Sequence, residues 1–103
     1  MSITIGQYEF EGPYNNTSSL QDRSGVYVIL DHRADGKYYI LDVGESAQVK
    51  TRVEMHDRKD CWERKRLGTL KVAVLYTPNL QQPGRSAIER DIREQYRPPC
   101  GER

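Results

Sequence analysis

Two short apolar runs on either side of a polar turn constrain this chain more than any other feature. The first run is Gly25-Val-Tyr-Val-Ile-Leu30, and the second is Lys37-Tyr-Tyr-Ile-Leu-Asp-Val-Gly44. Both contain many β-branched and aromatic residues, which favour strands. Asp35-Gly36 between them is typical of the tight turn that joins two antiparallel strands. The sequence therefore predicts a β-hairpin near the middle of a chain of 103 residues.

Further elements are predicted on both sides of this hairpin. Residues 3–10 predict an N-terminal strand that ends at Gly12-Pro13, and residues 70–76 predict a strand of the same class as the hairpin. A helix is predicted over about 47–57, with Ser46 as its cap, and another from Ser86 to Pro98. The expected fold class is α+β: a small two-layer domain with a mostly antiparallel sheet of three strands, plus the N-terminal one, flanked by helices. It forms a single domain over 1–103, with its core at about 24–100 and an extension at 1–23.

Composition excludes several classes of protein. Apolar residues make up 36% of the chain and are spread along its length, so the composition is not that of a disordered segment. No apolar run approaches the roughly 18 residues of a membrane helix. Because no basic start followed by an apolar stretch marks a signal peptide, we expect a cytoplasmic protein without a membrane partner.

Charge is unevenly distributed. Residues 50–71 contain eight Lys or Arg against four Asp or Glu, whereas residues 1–49 contain three against seven. A basic segment of this kind is typical of a surface that contacts phosphate, and a solvated helix face is the alternative interpretation. Trp62 within it could stack on a base or pack against the core.

A polar stripe is predicted on the first helix. Gln48, Arg52 and His56 recur every four residues, beside the apolar pair Val49 and Val53. Such a stripe could line a cleft next to the sheet, or it could be a solvated edge in which Arg52 pairs with a nearby carboxylate.

The order of these residues resembles the GIY-YIG nuclease family. Gly25-Val26-Tyr27 stands where the first signature of that family occurs, and Asp42-Val43-Gly44 stands where the second would be. Arg52 and His56 follow with the spacing of the family's Arg and His helix, and Glu89 on the last helix is placed like its metal-binding glutamate. The resemblance covers about residues 24–100.

The resemblance implies a small nuclease domain that hydrolyses phosphodiesters in DNA with one Mg²⁺ or Mn²⁺ ion. Tyr27 would activate or orient the attacking water, Arg52 would stabilise the charge on the phosphate, and Glu89 would hold the metal. His56 is the third candidate catalytic residue, beside Tyr27 and Arg52. Because family nucleases often carry a separate recognition domain, specificity here would come from loops, a protein partner or self-association. The candidate nucleic-acid contacts in the basic segment are Lys50, Arg58, Lys59, Arg64, Lys65 and Arg66.

The chain departs from the family at Asp42, where the second signature normally begins with Tyr. Asp42 could be a second ligand of the metal, since Mg²⁺ prefers oxygen. Alternatively, the site has lost cleavage, and the domain binds nucleic acid or a protein partner without cutting. Strand alternation puts Tyr38, Ile40 and Asp42 on one face, so Tyr38 could supply the missing phenol, but at about 13 Å from Asp42 it is too far for a simple exchange without a bulge.

Two further interpretations concern single residues. Ser86-x-x-Glu89 matches a capping box, which would explain this glutamate without any metal. The two cysteines, Cys61 and Cys100, form no CxxC pair and no disulfide framework, and a zinc site built from them and His56 lacks an obvious fourth ligand.

Overall fold

A five-stranded antiparallel sheet forms the centre of the protein. The computed structural model describes residues 1–101, and in this range the α+β class and the antiparallel sheet are confirmed. The strands, in the sheet order β1-β2-β5-β3-β4, are β1 (Ser2–Ile5), β2 (Tyr8–Tyr14), β3 (Gly25–His32), β4 (Tyr38–Ser46) and β5 (Thr69–Tyr76). The helices described are α1 (Val49–Glu54), α2 (Lys59–Lys65) and α3 (Gln82–Tyr96), with a 3₁₀ turn at Thr17–Ser19.

The N-terminal segment differs from its prediction. Instead of one strand over 3–10, it forms the hairpin of β1 and β2, which turns at Gly6 with a φ of +63° that favours glycine. Gly12-Pro13 does not end β2 but lies inside it, where the pairing with β5 shifts register between Glu11 and Tyr14. Proline is tolerated at such an irregularity, because no regular ladder bond needs its missing N–H. The sheet therefore has five strands.

The sheet is covered on both faces, so the domain has three layers rather than the two predicted. Tyr27 and Ile29 of β3 pack with Val49, Val53 and Trp62 of α1 and α2. Val26, Val28 and Leu30 on the other face pack with Ile92 of α3. The reason is visible in β3 itself, whose apolar run does not alternate with polar residues, so both of its faces need a cover.

The helices also differ in extent from their predictions. The first helix ends at Glu54, although Val49 and Val53 are buried on it as predicted. The charged segment after it forms α2, where Trp62 is buried in the core. This confirms the packing interpretation of Trp62.

A bulge in β4 places Asp42. Ile29 pairs with Asp42 but Leu30 pairs with Ile40, so Leu41 is an extra residue in the strand. Leu41 packs in the cluster beneath α1 and α2, and Asp42 contacts Trp62 of that same cluster. The bulge breaks the alternation that had placed Ile40 and Asp42 on one face, because Ile40 packs on the α3 side.

Candidate functional site

Tyr27 and His56 form a buried hydrogen-bonded pair. The Tyr27 hydroxyl lies 2.7 Å from His56 Nε2, and Tyr27 is 1% exposed. His56 Nδ1 accepts a hydrogen bond from the backbone N–H of Arg58 at 3.0 Å, which assigns the ring proton to Nε2. His56 therefore donates to Tyr27, and the Tyr27 hydroxyl keeps its own proton for another acceptor.

Burial keeps both members of this pair neutral near pH 7. It raises the pKa of Tyr27 to about 12, although the positive charge of Arg52 acts in the opposite direction. Burial also lowers the pKa of His56 to about 4, and the charges of Arg52 and Arg58 add to the effect. The neutral Tyr27 hydroxyl can therefore donate a hydrogen bond, and it is poorly suited to take a proton from another group.

We expect acid to destabilise the protein through His56. Its ordinary pKa of 6.5 applies in the unfolded chain, whereas the folded protein holds it at about 4. Between these values the unfolded state binds more protons. The free energy of unfolding therefore falls as the pH is lowered from 6.5 to 4, by up to about 1.4 kcal/mol per pH unit. Urea unfolding at several pH values gives the free energy of unfolding as a function of pH, and this free energy should change less with pH in His56→Gln than in the wild type. The control His32→Gln should show the wild-type pH dependence. The same pH dependence in all three proteins would contradict this prediction.

His56 does not lie on the predicted helical stripe. Helix α1 ends at Glu54, and the chain then turns inward, so the His56 side chain is buried beside Trp62. The interpretation of the stripe as a solvated edge is therefore wrong for His56. Arg52 stays on α1, where its side chain is 39% exposed, and it pairs with the nearby carboxylate of Asp57 at 3.2 Å.

Gly44 makes room for the phenol of Tyr27. The two residues are directly opposite each other in the β3–β4 pairing. A Cβ atom at position 44 would overlap the Tyr27 hydroxyl, so any larger residue would displace the ring. The tyrosine of the first motif and the glycine of the second are thus linked by steric fit.

Asp42 is a fully buried carboxylate that accepts five hydrogen bonds. Both of its oxygens are occupied, so the carboxylate joins α2, β4 and α3 around one buried charge. Its donors, at 2.8–3.1 Å, are Arg58 Nε and Nη2, Trp62 Nε1, Arg93 Nη2 and its own neighbour's backbone N–H at Val43.

This arrangement changes the interpretation of Arg58. Its guanidinium donates two hydrogen bonds to the Asp42 carboxylate. Arg58 therefore has a structural role in addition to the phosphate contact expected from the sequence. Arg66 bonds Glu63 and the carbonyl of Gly68. The remaining predicted contacts form no ion pair within residues 1–101: Lys50, Lys59, Arg64 and Lys65.

Glu89 lies on α3 with Arg93 one turn further along, at 3.2 Å. The capping-box interpretation is wrong, because α3 begins at Gln82 and Ser86 is already inside it. Arg85, one turn before Glu89, bonds Glu45, and Arg93 bonds Asp42. Since residues four apart stack on one helix face, Glu89 lies between Arg85 and Arg93 on the face of α3 that is turned towards β4.

The two predicted metal ligands differ in their fit to Mg²⁺. Asp42 does not fit, because five donors already use its oxygens. Glu89 fits as a single ligand: its Oε1 accepts no hydrogen bond from the described residues, and Mg²⁺ is often held by one carboxylate together with water and phosphate. In residues 1–101 no three His, Cys, Asp or Glu side chains are grouped to hold a metal by themselves.

Cys61 and Cys100 form a disulfide, with their Cα atoms 5.9 Å apart. The prediction of no disulfide was therefore wrong, and the sulfurs are not thiolate ligands for zinc. The two cysteines meet because α2 and the segment after α3 both lie against β4, where Cys100 N–H bonds the carbonyl of Leu41. Their separation of 39 residues in sequence carried no sign of this contact.

Comparisons with family models, curated proteins and solved structures found no match to this chain. Within residues 1–101, none of the helices has the length and apolar character needed to cross a membrane.

Proposed function

We propose that this protein is a nuclease of the GIY-YIG type that hydrolyses phosphodiesters in DNA with Mg²⁺ or Mn²⁺. The observation that carries the proposal is the set of side chains around residues 42–44 of β4: the Tyr27 hydroxyl lies against Gly44, and Arg93, which pairs with Glu89, bonds Asp42. Tyr27 and Glu89 are 62 positions apart in the chain. The edge strand β4 thus links the two residues, one through Gly44 and the other through Arg93 and Asp42.

Each residue has a role that suits its environment. The exposed guanidinium of Arg52 stabilises negative charge that develops on the phosphate. Tyr27 orients the attacking water through its hydroxyl, while His56 fixes the direction of that hydroxyl by donating to it. Glu89 would hold the metal, which when bound polarises a phosphoryl oxygen.

The test is a cleavage assay with supercoiled, linear, single-stranded and branched DNA in Mg²⁺ or Mn²⁺. We expect Glu89→Gln to abolish cutting while the protein stays folded, because Glu89 is partly exposed and its ion pair with Arg93 contributes little stability. Arg52→Ala should lower the rate roughly 100- to 1,000-fold. Glu11→Gln, at an exposed glutamate on β2, is the matched control and should cut like the wild type. Wild-type cutting by Glu89→Gln would contradict the assignment.

A second candidate function is binding of nucleic acid without cleavage. It is favoured by the burial of Tyr27 and by the saturation of Asp42, which replaces the tyrosine of the second signature. In that case no substrate is cut, and the affinity for DNA falls steeply with salt because bound phosphates release counterions. The same set of DNA substrates in a gel-shift experiment distinguishes the two functions.

A further inference from the structure

A groove of about 810 Å³ runs beside α3, between the helix and the segment that follows it. Three arginines, Arg90, Arg93 and Arg97, and two glutamates, Glu89 and Glu94, are among the residues that line it. Arg90 and Arg93 lie on one face of α3, and Arg97 is the residue that caps its C-terminal end. The residue proposed to hold the metal is therefore accompanied by a row of guanidinium groups.

These arginines are not equivalent. Arg93 forms the floor, because Asp42, Glu89 and the carbonyls of Val43 and Cys100 hold its guanidinium. Arg90 and Arg97 are exposed, and within residues 1–101 neither side chain makes an ion pair or a hydrogen bond. The guanidinium groups of Arg90 and Arg97 are thus available to a binding partner. They lie on either side of Arg93, whose guanidinium is rigidly held.

The spacing of the two cations suits a nucleic-acid strand. Seven helical residues span about 10 Å. One DNA strand carries a phosphate about every 3.4 Å along the duplex axis, so Arg90 and Arg97 can contact phosphates about three nucleotides apart. A strand aligned with α3 in this way would run beside Glu89, which lines the same groove.

The basic residues of α2 are placed differently. Helix α2 packs on the Tyr27 face of the sheet, whereas α3 packs on the opposite face. Lys59 and Lys65 therefore lie on the Tyr27 side of the sheet and do not line the groove that contains Glu89, although the sequence had indicated α2 as the phosphate contact.

We propose that the α3 groove holds the sugar-phosphate backbone of the DNA, with Arg90 and Arg97 as its phosphate contacts. This inference rests on the proposed function, because the strand in the groove is the one presented to Glu89. It assigns the binding surface to α3 instead of α2.

The test is fluorescence anisotropy with a labelled 20-base-pair DNA duplex over a range of salt concentrations. We expect Arg90→Gln and Arg97→Gln each to weaken binding about eightfold at 0.1 M salt, and to reduce the slope of log affinity against log salt by about 0.9. Lys37→Gln, at an exposed lysine in the β3–β4 turn, removes the same charge and should bind like the wild type. Thermal unfolding of each variant checks that the fold is retained.

The outcomes separate this inference from the proposed function. If Arg90→Gln and Arg97→Gln bind DNA like the wild type and Lys59→Gln or Lys65→Gln binds more weakly, the proposal that the α3 groove binds DNA is wrong. The DNA contact then lies on α2. If Glu89→Gln abolishes cutting in that case, the nuclease proposal still holds. A wild-type protein that neither binds nor cuts DNA overturns both.

Discussion

Replacing Asp42 by alanine is expected to lower the free energy of unfolding by about 3–5 kcal/mol. The reason is the number of donors that lose their acceptor. Two guanidinium groups, Arg58 and Arg93, would remain beside a buried cavity without a counter-charge, and the Trp62 N–H would have no partner. Breaking a buried ion pair from one side is costly, because the remaining charge stays poorly solvated.

Urea unfolding measures this loss. Asp60→Ala, at an exposed aspartate on α2, is the control and should change stability by less than about 0.5 kcal/mol. Asp42→Asn should give an intermediate loss, since an amide oxygen still accepts but carries no charge. Asp42→Tyr, which recreates the tyrosine of the second signature, should destabilise the protein as alanine does. A loss below about 1 kcal/mol in Asp42→Ala would contradict the central role of this carboxylate.

Removal of the Cys61–Cys100 disulfide is expected to cost about 4 kcal/mol of stability, from the chain entropy of a closed loop of this length. The bond also holds the segment after α3 against β4, where the Cys100 carbonyl accepts from Arg93. Its loss therefore loosens one side of the Asp42 cluster as well.

Urea unfolding with and without a thiol reductant tests this expectation. The wild type should unfold at a lower urea concentration when reduced, and Cys61→Ala/Cys100→Ala should unfold at that lower concentration in both conditions. An unfolding midpoint that does not depend on reductant in the wild type would be evidence against the bond. Disulfides are rare in the cytosol. The Cys61–Cys100 bond therefore argues against the cytoplasmic location expected from the sequence, and that location stays a prediction.

Local patterns were sufficient for the central strands. The hairpin of β3 and β4 was predicted because its runs of β-branched residues and its Asp-Gly turn act over a few neighbouring positions. Strand β5 was predicted for the same reason, and its alternate residues Val72 and Val74 pack in one cluster beneath α1 and α2. The end of α1 was misplaced, because a six-residue helix is stabilised mainly by its packing against the sheet.

The residues of the candidate site were named from the order of motifs, but their partners could not be. Asp42 bonds side chains 16, 20 and 51 residues away, and Tyr27 bonds one 29 residues away. Such contacts depend on how the helices lie on the sheet and on one bulge in β4, and neither leaves a periodic pattern in the chain. The role of Asp42 as a structural anchor therefore became visible only in the fold.

The sequence by itself determined strands β3, β4 and β5 and the hairpin between the first two, because strand propensity and turn type are properties of nearby residues. The order of its motifs, through the family resemblance, named Tyr27, Arg52 and Glu89 as candidates. The tertiary structure alone decided that Cys61 and Cys100 meet, that His56 is buried and neutral, and that Arg90 and Arg97 lie in one groove with Glu89. The physical reason is that burial, pKa and ion pairing depend on which distant groups share a small volume, and packing sets that volume after the local elements have formed.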